Sequence, residues 1–123
     1  MKVLVVDNEQ AFASRLADHL GQCEIEARSV YSGEEALASL PEIQPDVMVV
    51  DLQMPDMSGL DVLSQVKTLD PSIEVILLTG NGSFDIGIAS MQLGAFDYIL
   101  KPVDLDQLLE VIVGACEKRM KGR

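Results

Sequence analysis

The chain has 123 residues, 48% of them hydrophobic and 24% charged, with a formal net charge of −11. That length holds one hydrophobic core rather than two, the composition is that of a soluble globular protein, and no apolar run nears the ~20 residues needed to cross a bilayer. So negative a surface repels phosphate backbones, which argues against nucleic acid as a direct ligand and favours cations and basic partner surfaces.

In chain order, the amino end "MKVLVVDNEQ" turns acidic too soon for a signal peptide, so the expected compartment is the cytosol. Val3–Val6 reads as a strand, and Phe12, Leu16 and Leu20 then repeat at four-residue spacing on a helix whose other faces carry Arg15, Asp18 and His19. Ile25–Val30 is a weaker strand. Ser32 and Glu35 form a capping box ahead of "EEALASL". Val47–Val50 is a second strongly apolar strand, followed by a helix with Ser58 and Asp61 at its start and Leu60, Leu63 and Val66 on its stripe. Val75–Leu78 is the third such strand. A helix from near Ser83 carries Ile86, Ala89 and Leu93 and ends at Gly94. Tyr98–Leu100 is a short strand, and Asp104 with Gln107 opens a last helix striped by Leu105, Leu108, Leu109, Ile112 and Cys116. The tail "EKRMKGR" suits a helix carboxyl terminus, with the start of a linker as the other reading of residues 118–123. The whole of 1–123 reads as one domain.

β-branched runs without polar alternation suit strands buried on both faces of a parallel sheet. Strand and helix alternate five times, which predicts an α/β domain with helices on both faces. Cys23 and Cys116 show no metal-type spacing, and Cys116 reads as a small core hydrophobe. His19, the single histidine, reads as a helix-surface residue.

In such a sheet, ligands bind beyond the carboxyl ends of the strands, where strand order reverses. The first strand delivers Asp7, Asn8 and Glu9 there, the third Asp51, the fourth Thr79 and Gly80, and the fifth Lys101 and Pro102. Oxygen donors without sulfur or imidazole suit Mg²⁺. A carboxylate attacking phosphorus makes an acyl phosphate, with a metal and a lysine neutralising charge on the transferring group. Pro55 and Gly59 hold the loop after Asp51 irregular, which frees its carbonyls to face a metal. "GNGSFDIG" has neither the GxGxxG nor the GK[ST] pattern of a nucleotide loop.

The segments "VLVVDNE", "DVMVVDLQMPDMSGLDVL", "VILLTGNG" and "GAFDYILKP", in this order, resemble the receiver domains of two-component response regulators over essentially the full length. The resemblance implies a flavodoxin-like, doubly wound five-stranded parallel sheet of order 2-1-3-4-5 flanked by five helices. It makes Asp51 the phosphoacceptor. Mg²⁺ would be bound by Asp7, Asn8, Asp51 and the backbone carbonyl of Gln53, and the phosphoryl group contacted by Thr79 and Lys101. Tyr98 would be an aromatic switch coupled to Thr79, with plain core packing as its other reading. Gln53 and Asn81 would tune the lifetime of the phosphorylated state, Gly80 would leave room for the phosphoryl group, and the Lys101–Pro102 peptide would be cis.

The family usually has two adjacent acids where this chain has Asp7 and Asn8. That predicts weaker metal affinity, unless Glu9 stands in for the second acid. The implied partners are a sensor histidine kinase and an effector reached through the fourth helix, fifth strand and fifth helix, with pairing of two copies as another use of that face. Two competing functions remain: a pseudo-receiver that binds partners without phosphorylation, and a phosphohydrolase with an aspartyl nucleophile. The second generally needs an acid where this chain has Gln53.

Overall fold

The computed structural model describes residues 1–80 and 84–122, Phe84 for its backbone alone. Strands and helices alternate as β1 (Lys2–Val6), α1 (Gln10–Gln22), β2 (Glu26–Val30), α2 (Gly33–Ile43), β3 (Val47–Asp51), α3 (Gly59–Leu69), β4 (Glu74–Thr79), α4 (Phe84–Gln92), β5 (Asp97–Leu100) and α5 (Leu105–Lys121). The strands form one five-stranded sheet of order β2-β1-β3-β4-β5, with every pairing parallel. This is the doubly wound, flavodoxin-like arrangement. Its order reverses between β1 and β3, the place where such folds open a crevice.

Successive side chains of a strand point to opposite faces, so the apolar runs feed two cores. Val3, Val5, Val47, Val49, Ile76, Leu78 and Ile99 pack with Leu16 and Leu20 of α1 and with Leu108, Ile112 and Cys116 of α5. Leu4, Val6, Met48, Val50, Val75 and Leu77 face the other way, onto Leu40 of α2 and Val62, Leu63 and Val66 of α3. β3 and β4 are buried at every residue, as strands covered on both faces require.

Helix starts follow the side chains read from sequence. Ser32 Oγ accepts from the Glu35 amide, while the Glu35 carboxylate accepts from the Tyr31 amide. Ser58 caps α3 by accepting from the Asp61 amide, and Asp104 caps α5 by accepting from Asp106 and Gln107. Such side chains satisfy amides that the first helical turn leaves unpaired. Residues 117–121 of the basic tail form the last turn of α5, where Lys118, Arg119 and Lys121 meet the negative end of the helix dipole.

Two stripes differ from expectation. Leu105 is 39% exposed at the first turn of α5, and Leu109 is only partly buried; Ala115 takes the inward position instead. Leu93 lies beyond the end of α4 and is 39% exposed, because Gly94 turns the chain away with φ +97°. Among the described side chains of α4, the buried positions are Gly87 and Ser90, both too small to register as an apolar stripe. Ser83, where that helix was expected to begin, lies outside the described residues. Cys116 is buried and free, and burial pushes its thiol up to about 11.

Candidate functional site

β1 and β3 are neighbours in register, Val6 opposite Val50, so the next residue of each brings Asp7 and Asp51 side by side at the switch point. Both are acids in a nearly dry place: Asp7 is 0% exposed and Asp51 5%. β5 delivers Lys101 from the far edge. Its Nζ stands 3.2 Å from Asp51 Oδ1 and 3.6 Å from Asp7 Oδ2, and it also lies 5.8 Å from the centre of the Phe12 ring. One ammonium thus bridges two carboxylates that would otherwise repel.

The electrostatics follow. Burial pushes the Asp7 carboxyl above its ordinary 3.8; the Glu9 amide pulls it down, the charge of Asp51 pushes it up and Lys101 pulls it down, and the net is a rise. For Lys101, burial works to lower the ammonium, but Asp51 and Asp7 together outweigh it and hold it above 10.5.

Asp7 Oδ1 accepts the Glu9 amide at 2.9 Å. Oδ2 is buried and accepts no hydrogen bond, with the lysine beyond hydrogen-bond reach. A buried carboxylate oxygen left in that state is costly and is suited to a cation. The Asp51 carboxylate shares the Lys101 ammonium with that of Asp7; Asn8 follows Asp7 directly in the chain, and the Gln53 amide donates to Asp51 Oδ1, so the oxygen donors expected from sequence belong to the same end of the sheet. Among the described residues no three acidic, histidine or cysteine side chains gather as a metal site; here the carboxylates number two and the remaining donors are neutral. That set fits a hard ion such as Mg²⁺, which keeps several waters.

Thr79 closes β4, 1% exposed, one position beyond Leu78, which pairs with Asp51. A Cβ at Gly80 would meet nothing within 4 Å, so the space there is open. The Lys101–Pro102 peptide is cis. The ring of Tyr98 lies on the α4 side of the sheet, against the second core. Asn81 lies outside the described residues. His19 is on α1, away from these groups.

The loop between β3 and α3 is fixed at both ends. The Gln53 amide donates to Asp51 Oδ1 at 3.4 Å, and the Gly59 amide to the Leu52 carbonyl at 2.8 Å. Gly59 is required by proximity: a Cβ there would come 2.5 Å from the Asp51 carbonyl oxygen and 2.8 Å from Leu52 Cα.

Three features escaped sequence reasoning. Asp56 of this loop reaches the start of α2, accepting from the amides of Gly33 and Glu34. Gly87 admits the Tyr98 ring. Glu74, 4% exposed at the start of β4, lies between Lys67 and Lys118 at 3.6 and 3.3 Å, at the end of the sheet away from Asp51. Only Asp56 left a sequence signal, the Pro-Asp turn pair, and nothing there names its partner.

An acid cleft at the switch point of a doubly wound parallel sheet, with a lysine bridging its two carboxylates, defines a flavodoxin-like domain of the receiver type. A family model for the response regulator receiver domain matches residues 3–113, and the chain belongs to that family. The regulatory protein LuxO of Vibrio cholerae is 32% identical over 117 residues, covering 95% of this chain and 26% of that protein. The response regulator PilR of Pseudomonas aeruginosa is 35% identical over 118 residues, covering 96% and 26%. The chain therefore spans about a quarter of the length of these relatives. Among solved structures, the CheY-like receiver domain protein of Methanospirillum hungatei superimposes with a TM-score of 0.93 at 28% identity, covering 99% of this chain and 98% of that one. The receiver domain of a LuxO repressor protein from Vibrio parahaemolyticus gives 0.92 at 27%, covering 98% and 93%.

Proposed function

We propose that this domain accepts a phosphoryl group on Asp51 from a phosphohistidine of a sensor kinase, in a Mg²⁺-dependent step, and holds it as a signal until slow hydrolysis removes it. The observation that carries the reading is the Lys101 ammonium between Asp51 and Asp7, beside an Asp7 oxygen that is buried without a hydrogen bond. In the transfer, an Asp51 oxygen forms a bond to phosphorus as the N–P bond of the donor breaks, and the imidazole leaves with that electron pair. Lys101 neutralises charge on the incoming group, and the Thr79 hydroxyl holds one of its oxygens. Asp7, Asn8, Asp51 and the Gln53 carbonyl would hold the ion, which supplies further charge neutralisation and orientation of the phosphoryl oxygens. Gln53 and Asn81 are the two positions that would tune the lifetime of the phosphorylated state.

The added dianion favours one arrangement of Thr79, with Tyr98 as the side chain that responds. The output surface is then α4, β5 and α5, where Ile88, Met91 and Leu100 are 40%, 49% and 50% exposed; an effector or a second copy binds there. No described helix is long and apolar enough to cross a membrane, and we place the chain in the cytosol, where a kinase would meet it.

Incubation with acetyl phosphate and Mg²⁺, followed by intact mass, tests the proposal. The expected result is one added phosphoryl group that decays slowly and is absent from Asp51→Asn. No adduct on the wild type supports the pseudo-receiver, and steady turnover of small phosphate esters supports the hydrolase.

A further inference from the structure

The loop that follows Asp51 is tied to a helix far from it in sequence. Asp56 is exposed, yet both its carboxylate oxygens are used: Oδ1 accepts from the Gly33 amide at 3.2 Å and Oδ2 from the Glu34 amide at 2.9 Å. These are the first two amides of α2, which no intrahelical bond can satisfy. Ser32 Oγ takes the third. A second contact adjoins the first, because Met57 lies over Gly33 so closely that a Cβ there would come 2.3 Å from its Cγ. The Glu34 amide first, then that of Gly33, hold the Asp56 carboxyl below 3.8 against a slight desolvation.

Ordinary helix capping does not need this arrangement, because Ser32 already caps α2 from its own sequence. What Asp56 adds is a fixed point midway along residues 52–58, whose ends are held by Asp51 and Leu52. Gln53 lies inside that pinned span, and its carbonyl is one of the oxygens facing the acid cleft in the reading given above, on which this inference rests. We propose that Asp56 is a positioning residue for the metal: by clamping the loop to the amino end of α2 it holds the Gln53 carbonyl where Mg²⁺ needs it. Mg²⁺ tolerates little departure from octahedral geometry, so a loosened carbonyl lowers affinity before it alters the phosphoryl step.

The test is Mg²⁺ titration of wild type, Asp56→Asn and Ser32→Ala, followed by backbone amide NMR and without any phosphodonor. Asp56→Asn keeps the shape and loses one acceptor oxygen; Ser32→Ala weakens the same helix end without touching the loop. We expect the Mg²⁺ dissociation constant of Asp56→Asn to rise about three- to ten-fold, below the ten- to hundred-fold of a lost direct outer-shell partner, with Ser32→Ala within two-fold of wild type. In phosphorylation by acetyl phosphate, the loss is confined to the Mg²⁺ requirement. Unchanged Mg²⁺ affinity in Asp56→Asn, with the Gly33 and Glu34 amides shifted, overturns the proposal, as does an equal loss in Ser32→Ala. Should Asp56→Asn fail to fold, Asp56→Ser is titrated in its place with the same criteria. A wild type whose amides do not respond to Mg²⁺ overturns the metal reading itself.

Discussion

The ring of Tyr98 rests on the backbone of Gly87, so closely that a Cβ at position 87 would come 2.8 Å from the Tyr98 hydroxyl oxygen. Ordinarily Gly→Ala within a helix gains about 1 kcal/mol. In Gly87→Ala that gain is offset, because the new methyl must push the ring outward. Urea denaturation is expected to show little net stabilisation of Gly87→Ala in the wild-type background and the full gain in a Tyr98→Ala background. Equal gains in both would mean that the ring does not depend on the missing Cβ.

Removing the bridging ammonium is expected to have opposite effects on metal binding and on phosphoryl transfer. In Lys101→Met, Mg²⁺ meets two carboxylates with no competing cation, so its affinity is expected to rise about three-fold or more. Acyl phosphate formation at saturating Mg²⁺ is expected to fall about 100-fold, the scale of a lost charge stabiliser. Isothermal titration and intact mass give the two numbers; parallel losses in both would contradict the bridge.

Asp7 makes the metal-free protein depend on pH in a definite sense. Burial first, then the charge of Asp51, raises its carboxyl above 3.8, so the folded state binds this proton more tightly than the unfolded chain. Asp7 therefore lowers stability as pH climbs from about 3.8 through its folded value, and the loss persists above it. Asp56 has the reverse sign: held below 3.8 by the Glu34 amide, it contributes stability that is complete above 3.8 and lost as pH falls through the folded value. In Mg²⁺-free buffer at pH 7, Asp7→Asn is expected to be more stable than wild type by on the order of 1 kcal/mol, as substitutions of strained functional groups often are. Thermal or urea unfolding across pH 3–8 checks it, and a destabilised Asp7→Asn would refute it.

Gly59 carries a sharper penalty. A methyl there meets backbone atoms of Asp51 and Leu52 rather than a movable side chain. Gly59→Ala is expected to cost about 3 kcal/mol and to shift the amides of Asp51–Gln53 in a backbone NMR spectrum. A loss below about 1 kcal/mol would show that α3 can withdraw from the strand end.

Much of this was legible in the residues. The apolar runs of β1, β3 and β4 are long and unbroken because both faces of those strands are covered, and an unbroken run is readable without knowing what covers it. Asp7 and Asp51 were legible because each directly follows or closes such a run; Lys101 follows the short, half-buried β5 and was legible from its place ahead of Pro102 in the segment that resembles the family, and the parallel topology then brings the ends together. The inward face of α4 was not legible, since Gly87 and Ser90 carry no hydrophobic signal and Ile86 and Ala89 are only partly buried. Glu74 and Asp56 were hidden for another reason. Their partners Lys118 in one case and Gly33 and Glu34 in the other are distant in sequence, Lys67 reaches Glu74 only because the chain turns between α3 and β4, and a lone acid in a loop or at a strand start looks like any solvated one.

The small size of the buried described residues of α4 has a mechanical consequence. Burying an apolar side chain contributes roughly 1.5–3 kcal/mol, and the fully buried described residues of this helix are a glycine and a serine. Its Ser90 hydroxyl bonds to Ile86 of the same helix, which adds nothing to its grip on the sheet. Among its described side chains, this helix thus has little apolar cohesion to forfeit on sliding or tilting, compared with α3 or α5. Amide hydrogen exchange is expected to open α4 well before its neighbours, marking it as the hinge-like panel of an otherwise stiff body.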